Sequence, residues 1–421
     1  MTERGIKKYK PIEELGVFMH GRQVGLLSWN RQGTYFTYAK EWLTQGFNLS
    51  PQLAFDERPQ QPDTHLFLGL HGAFADSLPD GWGLLLMGRF FTAEYGSRVT
   101  HGLTQLDRLA YIGNRGMGAL EYYPMSEKVA REPISLSALY EASVQVQVGE
   151  TVEVLKALRI AGGSPGGARP KAAVAFSADL SQVVSAFEPL PEGYAHWIVK
   201  FRSLEEPWSM GAIECAYARM ARAAGVDMAH SELITVPSEQ GWNERFFATR
   251  RFDRKHNQKV HMMTAAGILH ADFRVPCLDY KDLLRLTFAL TRSAKEVEKM
   301  ARLMVFNGLA HNYDDHAKNF AFLYEERQGN QDGQWVLAPA YDLTFSTGMG
   351  EHTTAFDGQG RPSRAAIRRL CADYKFLKPD DYIDQTLEAL GNWEAVFAEL
   401  GILAADGKEI FETLADVHAQ F

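Results

Sequence analysis

Apolar and polar positions alternate along short runs in the first 250 residues and then recur at helical intervals. Strand-like runs occupy 171–176, 182–187, 195–201, 232–236 and 245–250, and period-two alternation of this kind predicts strands. They surround one helical run near 212–224, whose apolar positions Ile213, Ala216, Tyr217 and Met220 share a face. From about residue 260 the pattern is helical, over Asp279–Leu290, Ala294–Leu309, Tyr382–Leu390, Trp393–Leu400 and Lys408–His418. Gly308, near the end of the second of these, reads as a helix stop. Residues up to about 125 carry short β-leaning runs and a loop rich in Pro and Gln over 58–63, which predicts a small α+β unit. A connector with one helix spans 126–150. The expectation is an α+β protein in three parts: 1–125, a mainly antiparallel sheet over 126–249, and a helical part over 250–421.

Length and charge narrow the classes. A chain of 421 residues can bury two or three cores. The net charge of −8 supplies no general basic field, so nucleic-acid contact would need a local patch or a partner. Arg361, Arg364, Arg368 and Arg369 form the best candidate patch, but their near-helical spacing suits a solvated face. Cys215, Cys277 and Cys371 lie far apart without a Cys-x-x-Cys pair, which suggests neither a zinc ribbon nor a redox motif and suits a reducing cytoplasm. The opening residues Met1–Lys8 lack the apolar core of a signal peptide. No apolar run approaches the roughly 18 residues needed to span a bilayer. A cytoplasmic protein without membrane contact is expected.

The most informative stretch is His311-Asn312-Tyr313-Asp314-Asp315-His316-Ala317-Lys318-Asn319-Phe320, followed by Pro339-Ala340-Tyr341-Asp342. An Asp, an Asn five residues on and a further Asp some twenty residues later form a phosphoryl-transfer layout. That chemistry needs a carboxylate to orient and deprotonate the attacking hydroxyl, and oxygen ligands to hold magnesium on the phosphates of ATP. Asp314, Asn319 and Asp342 can fill these roles. Two other readings of the stretch stand beside this one. His311, Asp314, Asp315 and His316 could form a metal cluster, or the polar residues could only cap turns.

Other segments bear on the same chemistry. Gly162-Gly163-Ser164-Pro165-Gly166-Gly167 leads through Arg169 and Lys171 into a β-leaning run. Such a loop can turn its N–H groups toward phosphates, or it is a flexible surface hairpin. Lys200 ends an apolar strand, where it either snorkels to solvent or reaches phosphates. Glu214, near the start of a helix, either favours the helix dipole or pairs with Lys200.

The variant Asp-x-His-Ala-Lys-Asn followed by Pro-x-Tyr-Asp resembles the HipA family, the kinase toxins of bacterial toxin–antitoxin pairs. The similarity extends to the N-terminal pattern, including Phe74-Ala75-Asp76-Ser77-Leu78-Pro79-Asp80-Gly81-Trp82-Gly83, so it covers nearly the whole chain. It implies a two-lobed protein-kinase-like fold with an extra N-terminal subdomain, and ATP and Mg2+ as cofactors. By the same resemblance, Ser164 is the autophosphorylation site of a phosphate loop that includes Gly166 and Gly167, and Lys200 contacts ATP. Phe247, Ala248 and Thr249 would lie near the lobe hinge, where backbone groups bind the purine edge. Arg251 and Asp253 read better as an ion pair anchoring that hinge. Lys318 is poised to neutralise transferred charge, and His316 faces the ligand or packs the loop, with packing favoured. The implied partners are a protein substrate, such as an aminoacyl-tRNA synthetase or other translation factor, and a small DNA-binding antitoxin. No helix-turn-helix is evident in the chain itself, so no direct nucleic-acid contact is expected. Two rivals remain: a small-molecule kinase with the same phosphate machinery, and a non-catalytic scaffold in a repressor complex.

Overall fold

The computed structural model describes the chain except residues 1–6, 64, 127–133, 150–155, 157, 160, 162–165, 188, 238–240 and 327–332. The N-terminal unit is built on a four-stranded antiparallel sheet, β1 (Glu14–Met19), β2 (Arg22–Asn30), β3 (Gly33–Tyr38) and β4 (Glu121–Tyr123), in the order β3-β2-β1-β4. Alternation along β1 and β3 puts Leu15, Val17, Met19, Phe36 and Tyr38 on the buried face. The helix Gln105–Ile112 begins in a capping box, in which Thr104 and Asp107 satisfy each other's N–H groups.

The middle sheet is antiparallel and five-stranded: β5 (Lys171–Ser177), β6 (Val183–Ser185), β7 (Tyr194–Lys200), β8 (Ser231–Pro237) and β9 (Asn243–Arg250), in the order β6-β5-β7-β9-β8. Its strands coincide closely with the alternating runs. One face carries Ala172, Val174, Phe176, Trp197, Val199, Phe246 and Ala248. These pack under Trp82 and Leu86 of the helix Gly81–Tyr95 and under Leu136, Leu139 and Val146 of the helix Leu136–Val148. The helix Met210–Ala223 packs against β9 so closely that a Cβ on Gly211 would lie 3.0 Å from the nitrogen of Phe247.

The last part is mainly helical, with Tyr280–Thr291, Ala294–Leu309, Pro379–Leu390, Trp393–Glu399 and Ala404–His418 as its main members. Asp279 and Asp282 form a capping box, and Ser293 caps the next helix. Gly308 is not a stop. The helix runs on to Leu309, and a Cβ on Gly308 would lie 3.0 Å from Pro362 and 3.1 Å from Phe356. Its small size admits the loop that crosses there. The Arg364–Arg369 face is neutralised from within, because Arg364 pairs with Asp380 and Asp384, Arg368 with Asp380 and Arg369 with Asp357.

The N-terminal unit docks directly on the helical part. The short helix Gly72–Ala75 meets the helix Ala265–Leu269, where a methyl group on Gly72 would overlap the Gly267 carbonyl. Asp76 accepts from the N–H and the hydroxyl of Thr264, both at 2.7 Å. His261 bonds to the Leu49 carbonyl at 2.9 Å, and Phe47 stacks on Tyr324 at 3.9 Å. We expect Gly72→Ala to destabilise the fold by about 1–3 kcal/mol through forced separation of these backbones. A lowered thermal midpoint checks this; an unchanged one would mean the two helices part freely.

Candidate functional site

The helix Ala294–Leu309 delivers the chain to His311, whose φ of +54° turns the backbone sharply. Asp315 then points inward and is fully buried. It accepts from the Tyr280 hydroxyl at 2.7 Å, from His352 Nδ1 at 2.9 Å and from the Thr354 N–H at 3.1 Å. This anchor leaves Asp314 exposed on the outer side of the loop. The 3-10 turn Ala317–Asn319 follows, and Asn319 Nδ2 donates to the Asp314 carbonyl at 2.6 Å. Although the side chain reaches solvent, partial desolvation among the surrounding loops raises the Asp314 carboxyl above its usual range; His316 opposes the shift, and the nearby Asp342 and Asp315 add to it. Its sequence neighbours thus do different jobs: Asp315 fixes the loop and Asp314 faces outward.

Asp342 sits at φ +57°, just past a bridge that ties Ala340 to Met228. Lys200 Nζ bonds to Asp342, and to Glu214 Oε1 at 2.7 Å. Burial alone would raise the Asp342 carboxyl, but Lys200 and Lys171 hold it well below the carboxylate range. Glu214 also takes Arg169 Nη1 at 2.9 Å, and Arg169 pairs in turn with Glu206. Lys171 and Lys200 stand directly opposite each other on β5 and β7. Burial pushes Lys171 down to about 8; Asp342 resists the shift and Lys200 adds to it. The Lys171 ammonium reaches the Gly166 carbonyl.

A third side of this cluster comes from the N-terminal unit. Asp80 accepts from the Gly167 N–H at 2.6 Å and pairs with Lys318 at 2.7 Å. Lys318 also lies 4.1 Å from the centroid of the Phe273 ring. His316 meets Phe273 edge-on at 5.6 Å, as loop packing would have it.

The structure thus gathers Lys200, Glu214 and Asp342 into one chain of ion pairs and sets Asp314, Lys318 and Asn319 on one loop. Ser164 lies outside the described residues. The expected use of the main chain at Phe247 and Thr249 is corrected. β9 is an interior strand, and these residues pair with Lys200 and Ile198 of β7 and with Leu233 and Ser231 of β8. Their side chains lie on the Lys200 face instead, with Lys200 Nζ 5.5 Å from the Phe247 ring centroid. They form a wall, not a main-chain hydrogen-bonding edge. Asp80 and Arg169 were missed as site residues. Sequence marks Asp80 only as part of the N-terminal family pattern, and nothing local distinguishes Arg169 from a solvated arginine.

Beyond the wall, Arg251 and Asp253 form a buried ion pair. Arg251 gives two bonds to Asp253, at 2.9 and 2.7 Å, while Arg254 and the Gly118 N–H bond to the same carboxylate at 2.8 and 2.7 Å. The pair ties the end of β9 to the N-terminal unit.

Residues 15–123 match the HipA N-terminal domain and residues 163–417 the HipA-like C-terminal domain. A Sinorhizobium fredii (strain NBRC 101917 / NGR234) protein named "Putative kinase Y4dM" is 27% identical over 184 residues, which are 41% of this chain and 43% of that protein. The match thus spans under half the length of that relative. The solved Shewanella oneidensis MR-1 toxin–antitoxin complex of HipA, HipB and operator DNA contains a chain that matches at a TM-score of 0.68 and 17% identity, over 96% of both chains. That likeness speaks for the fold, which is the two-lobed kinase-like one with its extra N-terminal subdomain. On the two domain matches together, the chain belongs to the HipA family.

Proposed function

We propose that this protein is an ATP- and magnesium-dependent serine/threonine protein kinase of HipA type. The observation that carries the reading is the ion-pair chain Glu214–Lys200–Asp342 beside the loop that presents Asp314 and Asn319. Asp314 accepts the proton of the attacking hydroxyl. That oxygen forms a bond to the terminal phosphorus as the bridging oxygen departs with ADP. Asp342, held ionised, and the Asn319 amide oxygen are hard ligands that suit Mg2+. Magnesium, when bound, offsets charge on the phosphates. Lys200, aimed by Glu214, and the Gly166–Gly167 backbone steady the phosphates, and Phe247 and Thr249 wall the site. In this reading 126–249 is the ATP-binding lobe, 250–421 the catalytic lobe and 1–125 the family's N-terminal subdomain.

Ser164, two residues before Gly166, is the proposed autophosphorylation site. About two added negative charges there would repel ATP. The proposed substrate is a translation factor such as an aminoacyl-tRNA synthetase. A small DNA-binding antitoxin is the proposed partner, by analogy with the HipA–HipB complex.

The test is incubation of freshly dephosphorylated protein with labelled ATP and magnesium, with phosphosites mapped by mass spectrometry. Label on Ser164 is expected. Protein that binds ATP yet acquires no label would overturn the protein-kinase reading. Lys171, opposite Lys200 and bonded to the Gly166 carbonyl, in this reading lies beside the same phosphates and adds a pH signature. Its charged form favours ATP and is lost as pH rises through about 8, so ATP affinity falls there, approaching about tenfold per pH unit. The stability effect has the opposite sign. The unfolded lysine titrates higher, so between the two pKa values the unfolded chain holds more protons and the folded state gains as pH rises. Calorimetric titration from pH 7 to 9 checks the binding effect; a flat profile would remove Lys171 from the phosphate site.

A further inference from the structure

Asp80 holds the N-cap position of the helix Gly81–Tyr95. Aspartate is favoured there because its carboxylate accepts the helix's own unpaired N–H groups. Asp80 makes no such bond. Both its oxygens turn away from the helix: Oδ1 takes the Gly167 N–H and Oδ2 takes Lys318 Nζ. The approach is built into the backbone. The Trp82 N–H bonds to the Gly167 carbonyl at 3.0 Å, and Gly81, at φ +40°, has no room for a Cβ against that carbonyl. A Cβ on Gly166 would sit 3.0 Å from either Asp80 oxygen. The Asp80 and Lys318 side chains are 17% and 16% exposed, so solvent screens the pair weakly.

A backbone N–H on the Gly-rich loop and an ammonium on the catalytic loop, bridged by one oxyanion, are the contacts a terminal phosphate would take. We propose that Asp80 is a built-in occupant of the terminal-phosphate seat, an autoinhibitory anion that ATP must displace. This rests on the kinase reading and adds a regulation of the same site. A carboxylate and a phosphate oxygen cannot share these two donors, because like charges at that distance repel strongly away from bulk water. ATP therefore binds against Asp80. ADP, which lacks the terminal phosphate, does not meet it. The N-terminal unit thereby sets the threshold for nucleotide loading.

Calorimetric titration of magnesium-ATP and magnesium-ADP into the full chain and its Asp80→Asn variant tests this. The variant should bind ATP about tenfold tighter or more, as expected when a charge-assisted contact no longer competes, with ADP affinity unchanged. Equal ATP affinities, or an equal gain for ADP, would overturn the proposal and leave the kinase reading standing. Failure of both proteins to bind either nucleotide would overturn both. Should the variant not fold, a structure of the wild-type chain with a non-hydrolysable ATP analogue decides. Asp80 displaced from Gly167 and Lys318 by the terminal phosphate is the expected result. Asp80 retaining both bonds with the analogue bound would refute it.

Discussion

Asp314→Asn should slow phosphoryl transfer by between about 10^2- and 10^4-fold, the range for loss of a positioned general base, with ATP affinity close to wild type. The substitution isolates chemistry from architecture because Asp314 does not hold the loop. Its side chain is exposed, and its loop contact runs through the main-chain carbonyl to Asn319, which an amide side chain leaves in place. The carboxyl is already raised above its usual range, which brings its basicity closer to that of a useful proton acceptor. Single-turnover transfer beside nucleotide titration separates the two quantities. A variant that keeps more than half the wild-type rate would place the proton acceptor elsewhere. Asp315→Asn makes the contrast, because that carboxylate serves Tyr280, His352 and Thr354 at once. Its loss should appear first in folding.

Asp253→Ala should cost about 3–5 kcal/mol of stability, the usual consequence of removing one partner of a buried ion pair. Asp253 is fully buried and serves two guanidiniums and one backbone N–H. Without it, Arg251 and Arg254 remain side by side away from water. Their other partners, the Gly116, Gly118 and Asp253 main-chain carbonyls, cannot neutralise two charges. Burial and the neighbouring Arg251 already push Arg254 down to about 10 with Asp253 present. Although burial alone would raise Asp253, Arg251 and Arg254 hold it far below its unfolded value. Its contribution is therefore complete above about pH 4 and is lost only as pH falls toward the folded pKa. Denaturant unfolding near neutral pH measures the effect. A loss under about 1 kcal/mol would mean that the pair is not structural.

The loop proposed as catalytic could be singled out from sequence because phosphoryl-transfer chemistry would fix residue types at short, rigid spacing. Asp314, Lys318 and Asn319 sit within one turn of chain, so local order suffices to place them. The strands of the middle sheet and the long helices were legible from periodicity for the same reason. What failed was whatever depends on packing between distant segments. Asp80 meets Gly167 and Lys318 across 87 and 238 residues, and no local pattern signals either contact. Gly308 looks like a stop, but the loop holding Phe356 and Pro362 decides its role. Phe247 and Thr249 were placed on the right strand. Only the sheet order reveals that both edges of that strand are taken.

The docking of the N-terminal unit limits how far this protein can be treated as modular. Two domain matches, 15–123 and 163–417, invite cutting the chain between them. The cut would bare the Tyr324 ring that Phe47 covers, the Gly267 backbone that Gly72 abuts, and the Thr264 and His261 donors satisfied from across the seam. A fragment starting at 163 would expose apolar surface of the kind that drives association. Low solubility in such a fragment would report a severed seam and carry no information about its catalytic competence.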